Sequence, residues 1–178
     1  MAESPSERRP PPGNEVLVLD RETGSAAETE ALGRAVGVEL GHGSGAGTIW
    51  LFSGDLGAGK TVFVRGICRG LGVGGRVRSP GFTLVTRYAA RMPIVHVDLY
   101  RLEEPAEVER LGWEELYGPE TLLLVEWGER ARASVGPDYL AIELRDLGGG
   151  RRRIRITAHG RTAALGRALE PVLGGVAC

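Results

Sequence analysis

The stretch "GDLGAGKT" occupies residues 54–61 and is the most informative motif of this chain. It follows the apolar run "TIWLFS" (48–53), which predicts a buried strand. It leads into "KTVFVRGICRGLG", which predicts a helix from Lys60 to about Gly70 or Gly72. The stretch matches G-x-x-x-x-G-K-[ST] between a strand and a helix, a setting in which backbone N–H groups surround phosphates. It therefore predicts a P-loop.

The basic residue of this stretch is unusual within the chain. Lys60 is the one lysine among 22 basic residues, and the rest are arginines. A compact ammonium fits inside a tight glycine loop, whereas a planar guanidinium does not. The position of the single lysine, within the glycine-rich stretch, therefore supports the prediction of a P-loop. We expect Lys60 to contact the β- and γ-phosphates of a nucleotide and the Thr61 hydroxyl to bind Mg²⁺.

Composition bounds the class of protein. The chain has 178 residues, of which 42% are hydrophobic and 25% charged, as in a single globular domain. A net charge of -1 gives no general attraction to nucleic acid or to an anionic membrane. Apolar runs such as "TLLLV" are too short to span a bilayer. We expect a cytoplasmic protein without membrane association, with a disordered tail at residues 1–14 and one domain at 15–178.

Hydrophobic periodicity predicts the remaining elements. The run after the P-loop helix reads as two strands of an antiparallel hairpin, and the continuous apolar run "TLLLVEW" reads as a central parallel strand. The predicted elements are strands at 15–20, 83–90, 92–101 and 121–127, two strands within 139–160, and helices at 26–40, within 103–117 and at 161–178. We expect an α/β, single-domain P-loop NTPase fold. Its mixed central sheet has helices on both faces and an antiparallel hairpin inserted after the P-loop helix.

Two acidic residues end predicted strands and are candidates for the catalytic site. Glu126 ends "TLLLVE", and Asp98 lies within "IVHVDLYR". A P-loop site needs such a carboxylate to hold Mg²⁺ directly or through water. Glu126 could instead polarise the attacking water, and the pattern leaves both roles open for both acids. His96 shares a strand face with Asp98, which fits a packed histidine better than a catalytic base.

Two further segments carry candidate functional side chains. "RSPGFTLV" (78–85) could bring the hydroxyl of Ser79 or Thr83 to the γ-phosphate, or could be an ordinary Ser-Pro turn. The run "RRRIR" (151–155) reads as a solvated strand face, with contact to RNA or to an acidic partner as the alternative.

Taken in order, these motifs resemble the TsaE (YjeE) family of P-loop ATPases, which act in bacterial tRNA threonylcarbamoyladenosine (t6A) biosynthesis. "SGDLGAGKT" is similar to the family's P-loop nearly letter for letter. "SAAETEALG", "RSPGFTLV", "HVDLYR" and "VEWGER" resemble its other signatures. The resemblance implies slow Mg²⁺-dependent ATP hydrolysis that supports a TsaD–TsaB complex, which transfers the threonylcarbamoyl group to tRNA. Contact with tRNA would then be indirect.

The resemblance also assigns roles by position. Glu126, Lys60 and Asp98 match the residues of the catalytic centre, and Thr61 joins the two acids as a Mg²⁺ candidate. The expected ATP- or ADP-binding residues are Asp55, Leu56, Gly57, Ala58, Gly59, Lys60, Thr61, Val62, Thr29, Trp127 and Arg130. One position departs from the family. Gly81 stands where threonine is usual. If that threonine contacts the γ-phosphate or Mg²⁺, Ser79 or Thr83 must serve in its place or hydrolysis is weaker.

Two rival functions share the P-loop. A small-molecule kinase would need an acceptor pocket and an arginine-bearing lid, for which "ERARA" (129–133) is a short candidate. A non-hydrolysing module would use the bound nucleotide only to switch its affinity for a partner.

Overall fold

The computed structural model describes residues 16–174, without the side chains of residues 16–18 and 44. The predicted tail at 1–14 and the last four residues of the predicted terminal helix lie outside the described residues. Helices α1 to α5 are Ala26–Glu39, Lys60–Gly70, Pro105–Glu109, Trp113–Leu116 and Ala163–Leu173. Strands β1 to β7 are Val16–Thr23, Ile49–Ser53, Val85–Tyr88, Ile94–Asp98, Leu122–Glu126, Tyr139–Gly148 and Arg151–His159.

The seven strands form one mixed sheet in the order β1-β7-β6-β2-β5-β4-β3. β2 lies between β5 and β6 and is parallel to both, and β4 is parallel to β5. β3 pairs antiparallel with β4, and β7 pairs antiparallel with both β6 and β1. The predicted P-loop fold, the central parallel strand and the inserted hairpin are therefore confirmed. The hairpin strands are shorter than predicted because pairing is confined to Val85–Tyr88 and Ile94–Asp98.

The core lies on both faces of the sheet. Along β2, Trp50 and Phe52 pack on the side of α1, α2 and α5, while Ile49 and Leu51 pack on the side of α3 and α4. Alternation along a strand sends successive side chains to opposite faces. Every residue of β5 is buried because helices cover both faces at the centre of the sheet.

Helix α1 is close to its predicted bounds. The Ser25 hydroxyl caps it by accepting from Glu28 N at 3.1 Å, while the Glu28 carboxylate accepts from Gly24 N at 2.7 Å. The helix continues into a single π turn at Leu40–Ser44, where a loop was expected. Among residues 16–174, no helix combines the length and apolar character that a membrane span requires.

Four glycines let the P-loop helix pack directly on α1. Gly33 and Gly37 on α1 face Gly66 and Gly70 on α2, and a Cβ added at any of them would clash with backbone of the facing helix. The two backbones can therefore touch, in a contact that any larger side chain would separate. This packing positions α2, and with it the P-loop, against the sheet.

Candidate functional site

The P-loop lies at the carboxyl end of β2, as its sequence predicts. Gly57 and Gly59 have φ values of 84° and 104°, in the left-handed region that glycine adopts without strain. Gly59 is also the residue that precedes the first turn of α2. The loop thus ends at the N-terminus of α2, where free N–H groups and the helix dipole favour an anion.

Lys60 is enclosed by the loop from which it projects. It is 5% exposed, and its ammonium donates to the carbonyl oxygens of Gly54 at 2.5 Å and Asp55 at 2.9 Å. The ammonium also lies 4.0 Å from the centre of the Trp127 ring. Burial lowers the pKa of Lys60, and the nearby carboxylates, Glu126 first among them, act in the opposite direction.

Glu126 joins the P-loop helix to the sheet. Its Oε2 accepts from the Thr61 hydroxyl at 2.7 Å, and its Oε1 lies 2.9 Å from Nε2 of His96. The Glu126 and His96 side chains are 3% and 0% exposed. One carboxylate therefore contacts α2 with one oxygen and β4 with the other.

Asp98 occupies the matching position on the neighbouring strand. It pairs with Glu126 in the register of β4 and β5, so both acids lie at the same edge of the sheet. Its Oδ2 accepts from the Ser79 hydroxyl, and its Oδ1 accepts from Tyr100 N at 2.9 Å. A Cβ added at Gly81 would lie 3.3 Å from the Ser79 oxygen and 3.6 Å from Asp98 Oδ2.

These groups surround a cavity of about 430 Å³. Its walls come from the P-loop and α2, from residues 79–82, from residues 98–101 and from the end of β5. The residues predicted from the sequence that line it are Leu56, Gly57, Gly59, Lys60, Thr61, Val62, Asp98, Glu126 and Trp127. Ser79 also lines the cavity, whereas Thr83 is exposed to solvent and is not part of its wall.

The sequence model of the family described as "Threonylcarbamoyl adenosine biosynthesis protein TsaE" matches residues 23–154, which include every part of this cavity. The chain belongs to the TsaE family. The tRNA threonylcarbamoyladenosine biosynthesis protein TsaE of Treponema pallidum is 38% identical over 133 residues, which are 74% of this chain and 95% of the relative. The Bacillus subtilis protein of that name is 37% identical over 64% of this chain and 72% of its own length.

A solved structure agrees with this membership. The crystal structure of Bacillus subtilis YdiB superposes with a TM-score of 0.70 at 28% identity, covering 89% of this chain and 94% of that one. The two chains therefore share one fold over most of their lengths. Among the residues that the structure describes, no three His, Cys, Asp or Glu side chains cluster so as to hold a metal ion.

Four residues predicted to bind nucleotide in this TsaE family member lie away from the cavity wall. Asp55 and Ala58 lie within the P-loop and are joined by a backbone hydrogen bond of 3.1 Å. Thr29 is fully buried, and its hydroxyl contacts Ser25 O at 3.0 Å and the Thr23 hydroxyl at 2.7 Å. The fourth, Arg130, is tied to backbone.

Arg130 binds the backbone of a segment that borders the cavity. Its Nη1 donates to the carbonyl oxygens of Leu99, Tyr100 and Leu102 at 2.8 to 2.9 Å. Its guanidinium also lies 5.3 Å from the Trp127 ring centre. Trp127 itself has φ 58°, an uncommon conformation for a tryptophan, at the turn into the 3-10 helix Gly128–Ala131. Arg130 thereby holds the 99–102 segment and Trp127 together.

Arg152 is a residue that the sequence interpretation missed in this TsaE site. A Cβ added at Gly59 would lie 2.6 Å from Arg152 Nε, so the side chain packs directly on the P-loop. Nε is buried and has no hydrogen-bond partner among the described residues, while Nη1 donates to Gly150 O at 2.8 Å. Strand alternation could have found it, because Arg151, Arg153 and Arg155 face solvent and Arg152 faces the opposite side.

Arg101 and Phe82 form a second feature that sequence reasoning missed. The Arg101 guanidinium lies 3.9 Å from the centre of the Phe82 ring, and both residues line the cavity. Phe82 is 85% exposed. This pair joins the 79–82 segment to the 98–101 segment across the mouth of the cavity.

Proposed function

We propose that this chain is a Mg²⁺-dependent ATPase of the t6A machinery, which binds ATP in the P-loop cavity and supports turnover of a TsaD–TsaB-like complex. The observation that carries the proposal is the contact of the Thr61 hydroxyl with Glu126 beside the enclosed Lys60. These three groups are a hydroxyl, a carboxylate and an ammonium at one phosphate-binding loop, which is the set that phosphoryl chemistry requires.

The P-loop residues 55–62 are proposed to hold the phosphates. Lys60 now donates to two loop carbonyls, and the same N–H groups suit phosphate oxygens reaching into the loop. Arg152 lies against Gly59 with Nε unpaired, which makes it a further candidate to contact the nucleotide. Thr29, on the side of the nucleotide base, and Arg130 remain proposed nucleotide-binding residues, and Trp127 packs over Lys60.

The donor set suits Mg²⁺, which prefers oxygen ligands and takes only one or two carboxylates beside phosphates and water. Thr61 and Glu126 are in contact, so this pair is proposed to face the metal, with Asp98 as the second acid. The bound ion would neutralise charge that develops on the phosphates. The carboxylate of Glu126 orients or activates the attacking water, and Lys60 stabilises the phosphate charge.

The proposed partners follow from the family. The chain is expected to work in the cytoplasm on a TsaD–TsaB-like complex and to meet tRNA only through that complex. Arg153 and Arg155 on β7 both bind the Asp20 carboxylate, and no direct RNA contact is proposed for this face. No membrane association is proposed.

The kinase alternative draws little support from the structure. Arg130, the first of the two arginines of the candidate lid, is bound to three carbonyls, and Arg132 lies 4.9 Å from the Tyr139 ring centre. Neither arginine is therefore proposed as a lid over the phosphates. A nucleotide switch without hydrolysis would use the same cavity. An experiment must therefore distinguish it from the proposed ATPase.

ATP turnover of the purified chain, alone and with a TsaD–TsaB complex, tests the proposal. We expect slow Mg²⁺-dependent release of phosphate that Lys60→Ala reduces by at least about 100-fold. Arg110→Ala, which changes an exposed residue directly after α3 and outside the cavity, is the control and keeps the wild-type rate. Negligible decay in both settings, with nucleotide-dependent binding of the complex, would favour the switch. A phosphorylated small-molecule product would favour the kinase.

A further inference from the structure

His96 lies in the middle of β4, in the interior of the sheet. It pairs with Thr86 on β3 and with Leu124 on β5, and no part of it is exposed. Its Nε2 lies 2.9 Å from Glu126 Oε1, and its Nδ1 is buried without a hydrogen-bond partner among the described residues. The imidazole thus directs its one polar contact at the carboxylate of the proposed catalytic site.

We propose that His96 is a positioning residue for ATP hydrolysis, which fixes the Glu126 carboxylate in the orientation that the reaction needs. This inference rests on the proposed function. In the proposed arrangement the Nε2–H of His96 donates a hydrogen bond to Glu126 Oε1, because a carboxylate oxygen is the acceptor. Oε2 is then left to face the Thr61 hydroxyl at 2.7 Å.

Geometry explains why such a contact matters. The last torsion of a glutamate side chain has a broad distribution, so a carboxylate held by one oxygen alone can rotate. His96 and Thr61 hold opposite oxygens of Glu126 and so define the plane of the carboxylate. A water or metal ion in that plane would meet a carboxylate with one fixed orientation. This lowers the entropic cost of reaching the reactive geometry.

Packing alone does not account for a histidine here. The neighbours on the same face of the adjacent strand are Leu122 and Leu124, and both are fully buried. An apolar side chain would fill this space without leaving a ring nitrogen unpaired, and an unpaired buried polar atom destabilises the folded state. The Glu126 contact is the feature that an apolar residue could not supply.

Three substitutions at one position separate positioning from packing. The amide nitrogen of glutamine lies about where Nε2 lies, whereas that of asparagine lies about where Nδ1 lies. We expect His96→Gln to keep kcat within about 3-fold of wild type. His96→Asn and His96→Leu should lower kcat by about 10- to 100-fold, the range typical of groups that orient a catalytic ligand. The KM for ATP should change by less than about 3-fold, since the P-loop contacts remain.

His159→Gln is the matched control. His159 is also buried, but it pairs with Tyr139 at the start of β6, the end of that strand opposite the P-loop edge. Its kcat should equal that of wild type, and thermal unfolding of every variant checks the fold. Wild-type kcat in His96→Leu, or an equal kcat loss in all three His96 variants, would overturn the inference. Wild-type hydrolysis by Glu126→Gln would instead overturn the proposed role of Glu126.

Discussion

Glu126 and Asp98 are register partners on neighbouring strands, yet their surroundings differ. Glu126 contacts α2 through Thr61 and the sheet interior through His96, so each of its oxygens is held by a rigid element. Asp98 contacts the Ser79 hydroxyl and the backbone of Tyr100, both in loop segments at the cavity mouth. Two carboxylates at one sheet edge are thereby linked to different parts of the site, the first to the P-loop and the second to the loops that border it.

The largest effect is expected when the two acids are neutralised separately. Glu126→Gln should lower kcat by at least about 100-fold, because it removes a charge beside Thr61. Asp98→Asn should lower kcat less, by about 10-fold. It should also weaken the contact between residue 98 and Ser79, which holds the 79–82 segment. Titration of activity with Mg²⁺ distinguishes the acids, with the larger rise in half-saturation expected for Glu126→Gln. A larger rise for Asp98→Asn would reverse the assignment.

An intermediate effect is expected at one of the two hydroxyls near Gly81, those of Ser79 and Thr83. Ser79 contacts Asp98 and lines the cavity, whereas Thr83 does neither. Ser79→Ala should lower kcat by about 10-fold. This is the low end of the free energy that a hydrogen bond to a charged group contributes, about 1.5–3 kcal/mol. Thr83→Ala is the matched control and should stay within about 2-fold of wild type. Steady-state hydrolysis measures both, and a larger loss for Thr83→Ala would contradict the comparison.

The smallest effect is expected at a carboxylate that serves structure alone. Hydrogen bonds from Arg153 and Arg155 lower the pKa of Asp20 from 3.8 to about 2. A lowered pKa in the folded state means that Asp20 adds stability above pH 3.8, and that this contribution is lost as the pH falls toward 2. Asp20→Asn should cost less than about 1 kcal/mol at pH 7, because exposed ion pairs contribute little.

Chemical denaturation from pH 7 to pH 3 measures that contribution. The difference in unfolding free energy between wild type and Asp20→Asn should shrink at the acidic end, while ATP hydrolysis at pH 7 stays unchanged. Loss of hydrolysis in Asp20→Asn would contradict the prediction, because it would show that a carboxylate outside the cavity is also required for activity.

Local patterns predicted the P-loop, the hairpin and the two acids correctly as elements of the fold. The stretch "GDLGAGKT" is sufficient to predict the P-loop, because its glycines, lysine and threonine are close together along the chain. The acids were found because each ends an apolar run, and parallel strands bring their carboxyl ends to one edge. The exact strand ends were predicted less well, because only pairing with a neighbour decides where β3 and β4 stop.

The partners of these residues could not be predicted, because they are distant in sequence. Glu126 is 65 residues from Thr61 and 30 from His96, and no periodicity signals that their side chains meet. Arg152 reaches Gly59 only because β7 is placed beside β6 and β1 in the finished sheet. Arg130 is part of a motif, yet its binding to the carbonyls of residues 99–102 depends on how two loops pack.

By itself, the sequence determined which residues could bind phosphate and which carboxylates could serve there, since both follow from short-range pattern and residue chemistry. The tertiary structure alone decided that Glu126 is held by Thr61 and His96 while Asp98 is held by Ser79. The physical reason is that hydrogen bonds act over about 3 Å, so only the folded chain can bring such partners within reach of each other.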